Sequence, residues 1–99
     1  MCLTEIEAKR KLREIAKDTR KIKLTKHVRE RMQERGISLK QIICCFELGD
    51  ITEGPHLTTR GDCQLNISVR TAGEFITTVV VIKVRESGDF SIVVTTFKE

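Results

Sequence analysis

The chain has 99 residues, 39% hydrophobic and 32% charged, with a net charge of +4. That leaves room for one core, so a single domain over residues 1–99 is expected and a separate regulatory module is excluded. No apolar run reaches the ~20 residues of a membrane span and the N-terminus is charged and amphipathic, so a cytoplasmic protein without membrane contact is expected. The charge is uneven: residues 1–40 hold 13 Lys/Arg against 6 Asp/Glu, and residues 41–99 hold 5 against 8. A basic half joined to an acidic half favours an anionic partner at the basic end, and a solvated helical surface explains it equally well.

Three helical patterns come first. Thr4-Glu5-Ile6-Glu7 reads as a capping box, followed by Ile6, Leu12, Ile15 and Ala16 on one side. Asp18 to Lys23 is polar and reads as a loop or frayed turn. Thr25 caps a second helix with Val28 and Met32 inward and Gly36 as its left-handed stop. Ser38-Leu39-Lys40-Gln41 opens a third, with Leu39, Ile42, Ile43 and Phe46 inward, and Gly49 ends it.

The period then changes. Ile51 to Glu53 reads as a short edge strand broken by Gly54-Pro55-His56. Cys63-Leu65-Ile67-Val69 alternates with Gln64-Asn66-Ser68-Arg70, a half-buried strand with a polar face. Ala72-Gly73-Glu74 is a turn, and Phe75 to Val84 is β-branched on both faces, as a central strand is. After a second turn at Ser87-Gly88-Asp89, Phe90 to Phe97 is the last strand. The expected fold class is α+β, with N-terminal helices packed on one face of a C-terminal antiparallel β meander.

Four cysteines, Cys2, Cys44, Cys45 and Cys63, form no Cys-x-x-Cys pair and are expected as reduced thiols in a cytosolic protein. A zinc site drawn from Cys44, His56 and Cys63 lacks any recognised ligand spacing, so neither metal nor cofactor is expected.

The chemistry-bearing stretch runs from Thr25 to Ser38. His27 lies in the first helical turn and is the leading acid–base candidate, because His56 stands alone in a turn. His27, Arg31 and Glu34 fall on one helical stripe, with Arg35 close to it. A metal-free ribonuclease needs a base for the ribose 2′-OH, cations for the phosphate and an acid for the leaving oxygen. His27 suits base or acid, and Arg31, Arg70, Lys83 and Lys98 suit phosphate. Thr96 and Lys98 would lie near Arg70 if their strands are neighbours. The plainer readings are a packed histidine, surface ion pairs and an ordinary solvent-facing strand.

The string His27-x-x-x-Arg31-Met32-x-x-Arg35-Gly36-Ile37-Ser38, with Gly49-Asp50-Ile51, Val69-Arg70-Thr71, Val79-Val80-Val81 and Val93-Val94-Thr95-Thr96, resembles the bacterial domain of unknown function 4258. The resemblance covers residues 22–98 and leaves 1–21 as a helical extension. That family looks related to the RelE and MqsR ribonuclease toxins, so the resemblance implies a RelE-like fold. It also implies the toxin of a type II toxin–antitoxin pair, an endoribonuclease that cuts messenger RNA, with a protein antitoxin as partner. Carried over by position, His27, Arg70 and Thr96 match the family's recurring polar positions and are the catalytic candidates, and Arg31 and Arg35 match its basic helix; with Lys83 and Lys98, taken from the residues themselves, these are the candidate RNA contacts. The chain departs from such relatives in having no tyrosine or tryptophan; Leu65 or Asn66 and Phe97 stand at the two aromatic locations. The alternatives are a non-catalytic RNA- or ribosome-binding module and a protein-interaction module of the same fold.

Overall fold

The computed structural model describes residues 2–98. Helices α1 (Glu5–Ala16), α2 (Lys26–Arg35) and α3 (Leu39–Leu48) combine with strands β1 (Ile22–Leu24), β2 (Asp50–Leu57), β3 (Cys63–Thr71), β4 (Glu74–Lys83) and β5 (Phe90–Lys98). The sheet order is β1-β5-β4-β3-β2. The strands β2 to β5 form the expected antiparallel meander. None of the described helices is long and apolar enough to cross a membrane.

Local chemistry sets each helix end. Thr4 and Ser38 both close reciprocal capping boxes, with Glu7 and Gln41. Thr25 caps α2 by accepting from the Val28 amide, and Gly36 ends it in the left-handed region (φ 66°). Gly49 is required for space: a Cβ there would lie 2.4 Å from the Cys45 carbonyl oxygen and 2.8 Å from that of Ser68. The tight passage from α3 into β2 therefore admits no side chain.

The helices cover one sheet face. Ala8, Leu12, Ile15 and Ala16 of α1, Val28 and Met32 of α2, and Ile42, Cys45 and Phe46 of α3 meet Leu65, Ile67, Ile76, Val80, Ile82 and Val93 of the strands. Two expected core residues are displaced. Ile6 is 71% exposed, because Ala8 holds the inward position of the first turn, and Leu39 is 40% exposed at the start of α3. The helix α1 is tied down further by Lys9–Asp50 (2.9 Å), by Lys11–Asp89 (2.5 Å) and by Arg13, which donates to the Phe46 carbonyl (3.0 Å).

Three strand features depart from the sequence reading. Part of the polar Asp18–Lys23 stretch is a 3-10 turn followed by β1, which runs parallel to β5 with Leu24 opposite Val93. A three-residue strand carries too little alternation to be read from sequence. The strand β2 does not break at Gly54-Pro55-His56 but continues through irregular register to Leu57. A bulge in β5 at Val94 sets Val79 opposite Thr95 but Val80 opposite Val93. It inverts the alternation, so that Val93, Thr96 and Lys98 share the covered side while Thr95 and Phe97 face the other.

The cysteines are a correction as well. Cys2 and Cys63 are joined as a disulfide with Cα atoms 5.4 Å apart, across 61 residues. The capping box at Thr4 directs the N-terminal segment over the start of β3, where the Leu3 amide also donates to Cys63 Sγ (2.9 Å). Cys44 and Cys45 remain free thiols.

Candidate RNA interface on the open sheet face

Helices cover only one side of the sheet, so alternation leaves the other side to solvent. Register builds that open face row by row. Lys23, Ile92, Val81, Gln64 and His56 lie across all the strands. Thr95, Val79, Asn66 and Glu53 form the next row, then Phe97, Thr77 and Ser68, and finally Phe75 with Arg70. Valines, phenylalanines and Ile92 here are half-buried rather than enclosed. The guanidinium of Arg70 sits over the Phe75 ring, 5.7 Å from its centre. Ser68 and Thr77 hydroxyls bond each other at 2.8 Å, and Thr52 joins them at 3.4 Å.

The structure separates the three catalytic candidates. His27 is exposed at the start of α2, which begins where β1 ends, at the level of Val93. The end of α2 reaches the far end of β5, where a Cβ on Gly36 would lie 3.4 Å from Lys98 Nζ. Arg70 belongs to that far end and to the open face. His27 and Arg70 are thus separated by about the length of α2, roughly 15 Å at 1.5 Å per residue.

Thr96 is a correction. It is fully buried on the covered face, its hydroxyl donating to the Thr77 carbonyl (3.2 Å) and lying 3.2 Å from the Thr78 hydroxyl. Strand β4 stands between β5 and β3, so neither Thr96 nor Lys98 adjoins Arg70. Thr78 also donates to Cys45 Sγ (3.6 Å), and burial pushes the Cys45 thiol up to about 11. This is a satisfied internal network, closed to substrate.

Each of the four candidate RNA contacts other than Arg70 already has a polar partner. Arg31 pairs with Glu34 (2.8 Å) and Lys98 with Glu74 (3.1 Å). These are surface pairs of small worth that an anion can displace. Arg35 donates to the Thr96 carbonyl (2.7 Å), capping β5 beyond the short β1. Lys83 is bound to Asp62, with both side chains largely enclosed (16% and 10% exposed). Arg35 and Lys83 are therefore committed to the fold.

A residue set aside in the sequence returns. His56 is exposed in β2, in register with Gln64, and so belongs to the open face. No sequence signal placed it there, because Gly54-Pro55 reads as a strand end. The same geometry rules out the zinc combination: His56 pairs in register with the open-face Gln64, whereas Cys44 is on α3. Among the described residues no group of three metal-ligating side chains converges.

A family model for the domain of unknown function 4258 (DUF4258) matches residues 24–98. The chain belongs to the DUF4258 family. A search of curated proteins and of solved structures finds no match. The DUF4258 match begins at the last residue of β1 and takes in α2, α3 and the meander; α1 precedes it.

Proposed function

We propose that this DUF4258 protein binds single-stranded RNA across the open face of its sheet. The observation that carries the reading is the one-sided sheet itself. Its uncovered face joins a guanidinium stacked on a phenyl ring, half-buried apolar side chains and the amides of Gln64 and Asn66. Single-stranded bases stack on aromatic and guanidinium planes, and amides pair with their edges. Double-stranded RNA, recognised mainly through backbone and shape, has no use for such a face.

Cleavage is the second reading, that of a RelE-like endoribonuclease toxin held in check by a protein antitoxin. The exposed imidazoles of His27 and His56, at opposite edges of the sheet, favour it. His27 follows the edge strand β1 and His56 lies on the opposite edge strand β2, four strand spacings or about 19 Å across the sheet, so one of them at most serves a given phosphate. In this reading the chosen histidine takes the 2′-OH proton, and the freed oxygen attacks the adjacent phosphate and expels the 5′-oxygen, which takes its proton from water. A displaceable cation such as Arg31, one helical turn from His27, steadies the charge.

The test is fluorescence anisotropy with a labelled single-stranded RNA over a salt series, and a sequencing gel of the same samples. Binding that weakens steeply with salt is expected. Absence of binding in low salt by the folded protein would remove the proposal. New RNA ends that vanish in His27→Ala or His56→Ala, with folding intact, would establish the second reading and name its histidine.

A further inference from the structure

One end of the open face is built into a cavity. The loop joining β2 to β3 curls back, held by the Thr58 hydroxyl, which accepts from the Arg60 (3.3 Å) and Asp62 (3.1 Å) amides. The ion pair between Asp62 and Lys83 fastens the loop to β4. Beneath it lies a cavity of about 240 Å³ whose lining includes Arg60, Asp62, Gln64, Val81, Lys83 and Ile92, with the Asp62 carboxylate neutralised by Lys83.

Its parts divide by chemistry. Val81 and Ile92 are neighbours in register and form an apolar floor. Gln64, next to Val81 on β3, is half-buried, and its amide has no hydrogen-bond partner among the described residues. An uncommitted amide presents one acceptor and two donors to whatever fills the space. Arg60, exposed at the loop tip, stands at the rim. A flat apolar floor, an amide at its side and a cation at the mouth match a nucleotide: the base face, the base edge and the phosphate in turn.

We propose that this cavity is a nucleobase subsite in which Gln64 reads the base edge and Arg60 holds the attached phosphate. The inference rests on the reading of the open face as an RNA interface and gives that face a base-selective position. The Asp62–Lys83 pair then acts as a positioning element that keeps the loop over the floor.

The experiment compares binding of A8, C8 and U8 RNA by the wild type, Gln64→Ala and Gln64→Glu. Amide spectra are recorded in parallel with the four nucleoside 5′-monophosphates. The wild type is expected to prefer one octamer by about tenfold, as one read base edge allows. Gln64→Ala is expected to flatten that preference below about threefold while the mean affinity holds, and Gln64→Glu to change which octamer is preferred, since it exchanges donors for an acceptor. Equal discrimination by all three proteins would overturn the subsite and leave RNA binding in place. Mononucleotides that shift the Gln64 side-chain amide, with no octamer bound, would keep the subsite and remove the RNA interface. Silence from both probes would remove both.

Discussion

The two faces of the sheet are made from the same strands and have opposite characters. On the covered face Leu65, Ile67, Ile76 and Val80 are fully buried. On the open face Gln64, Asn66, Phe75, Val79 and Val81 alternate with them and stay half-buried. Polar groups differ as well. Thr78 and Thr96 on the covered side satisfy each other internally, while the Gln64 amide and the Arg70 guanidinium are left for something external. The comparison teaches that residue type alone is a poor guide to a site here. A threonine and an arginine of similar promise in the sequence fall on opposite sides, and only one side is reachable.

The sharpest way to break this comparison is by truncation. Phe46→Ala, beneath the covered face, is expected to cost about 3–5 kcal/mol in urea unfolding, whereas Val79→Ala on the open face costs roughly 1 kcal/mol. Equal costs would mean that the open face is itself a packed core.

Next in size is Thr96→Val. It strips the Thr77 carbonyl and Thr78 of a partner and is expected to cost about 1–3 kcal/mol, with RNA binding and any cleavage unchanged. Cleavage abolished in a folded Thr96→Val protein would return Thr96 to the chemistry.

Arg70→Ala sharpens the same contrast from the other side. RNA affinity by anisotropy should fall about tenfold, or ~1.4 kcal/mol, while stability changes by less than about 1 kcal/mol. An unaltered affinity would move the RNA contact to α2.

The smallest effect concerns the attachment of α1 to the covered side. The Lys11 ammonium hydrogen-bonded to Asp89 holds that carboxyl below the usual carboxylate range, and the Asp89 bond in turn raises Lys11. Because the Asp89 value is depressed on folding, its contribution is complete above the ordinary carboxylate pKa near 4 and is lost as pH falls through the depressed value. Lys11 has the opposite sign, contributing fully below its ordinary value near 10.5 and losing that contribution as pH rises through the raised one. The pair is worth less than about 1 kcal/mol. Unfolding at pH 3 and pH 7 should therefore show a slightly smaller acid loss for Asp89→Asn than for the wild type.

Much of the architecture was legible because its signals are local. Thr4, Thr25 and Ser38 cap where capping chemistry places them, and Gly36 stops α2 with the positive φ expected of it. The alternation of Cys63 to Arg70 and the apolar run of Phe75 to Val84 gave a half-buried strand with one polar face and a central strand, because side chains alternate with period two. The site was less legible. His27 does stand in the first turn of α2, but nothing local reveals its separation from Arg70. His56 was hidden by Gly54-Pro55, which terminates most strands but here lies within β2.

By itself, then, the sequence determined the helix boundaries, the order of the meander and the DUF4258 signature, since each depends on neighbours within a few residues. The tertiary structure alone decided which face each candidate occupies. One extra residue at Val94 turns Thr96 and Lys98 to the covered side, and the short β1 docks in parallel on β5. Pairing Cys2 with Cys63 and tying Asp62 to Lys83 likewise needed long-range register. Face and partner depend on which strands meet and in what register, and a one-residue slip in either reverses the side chain's address.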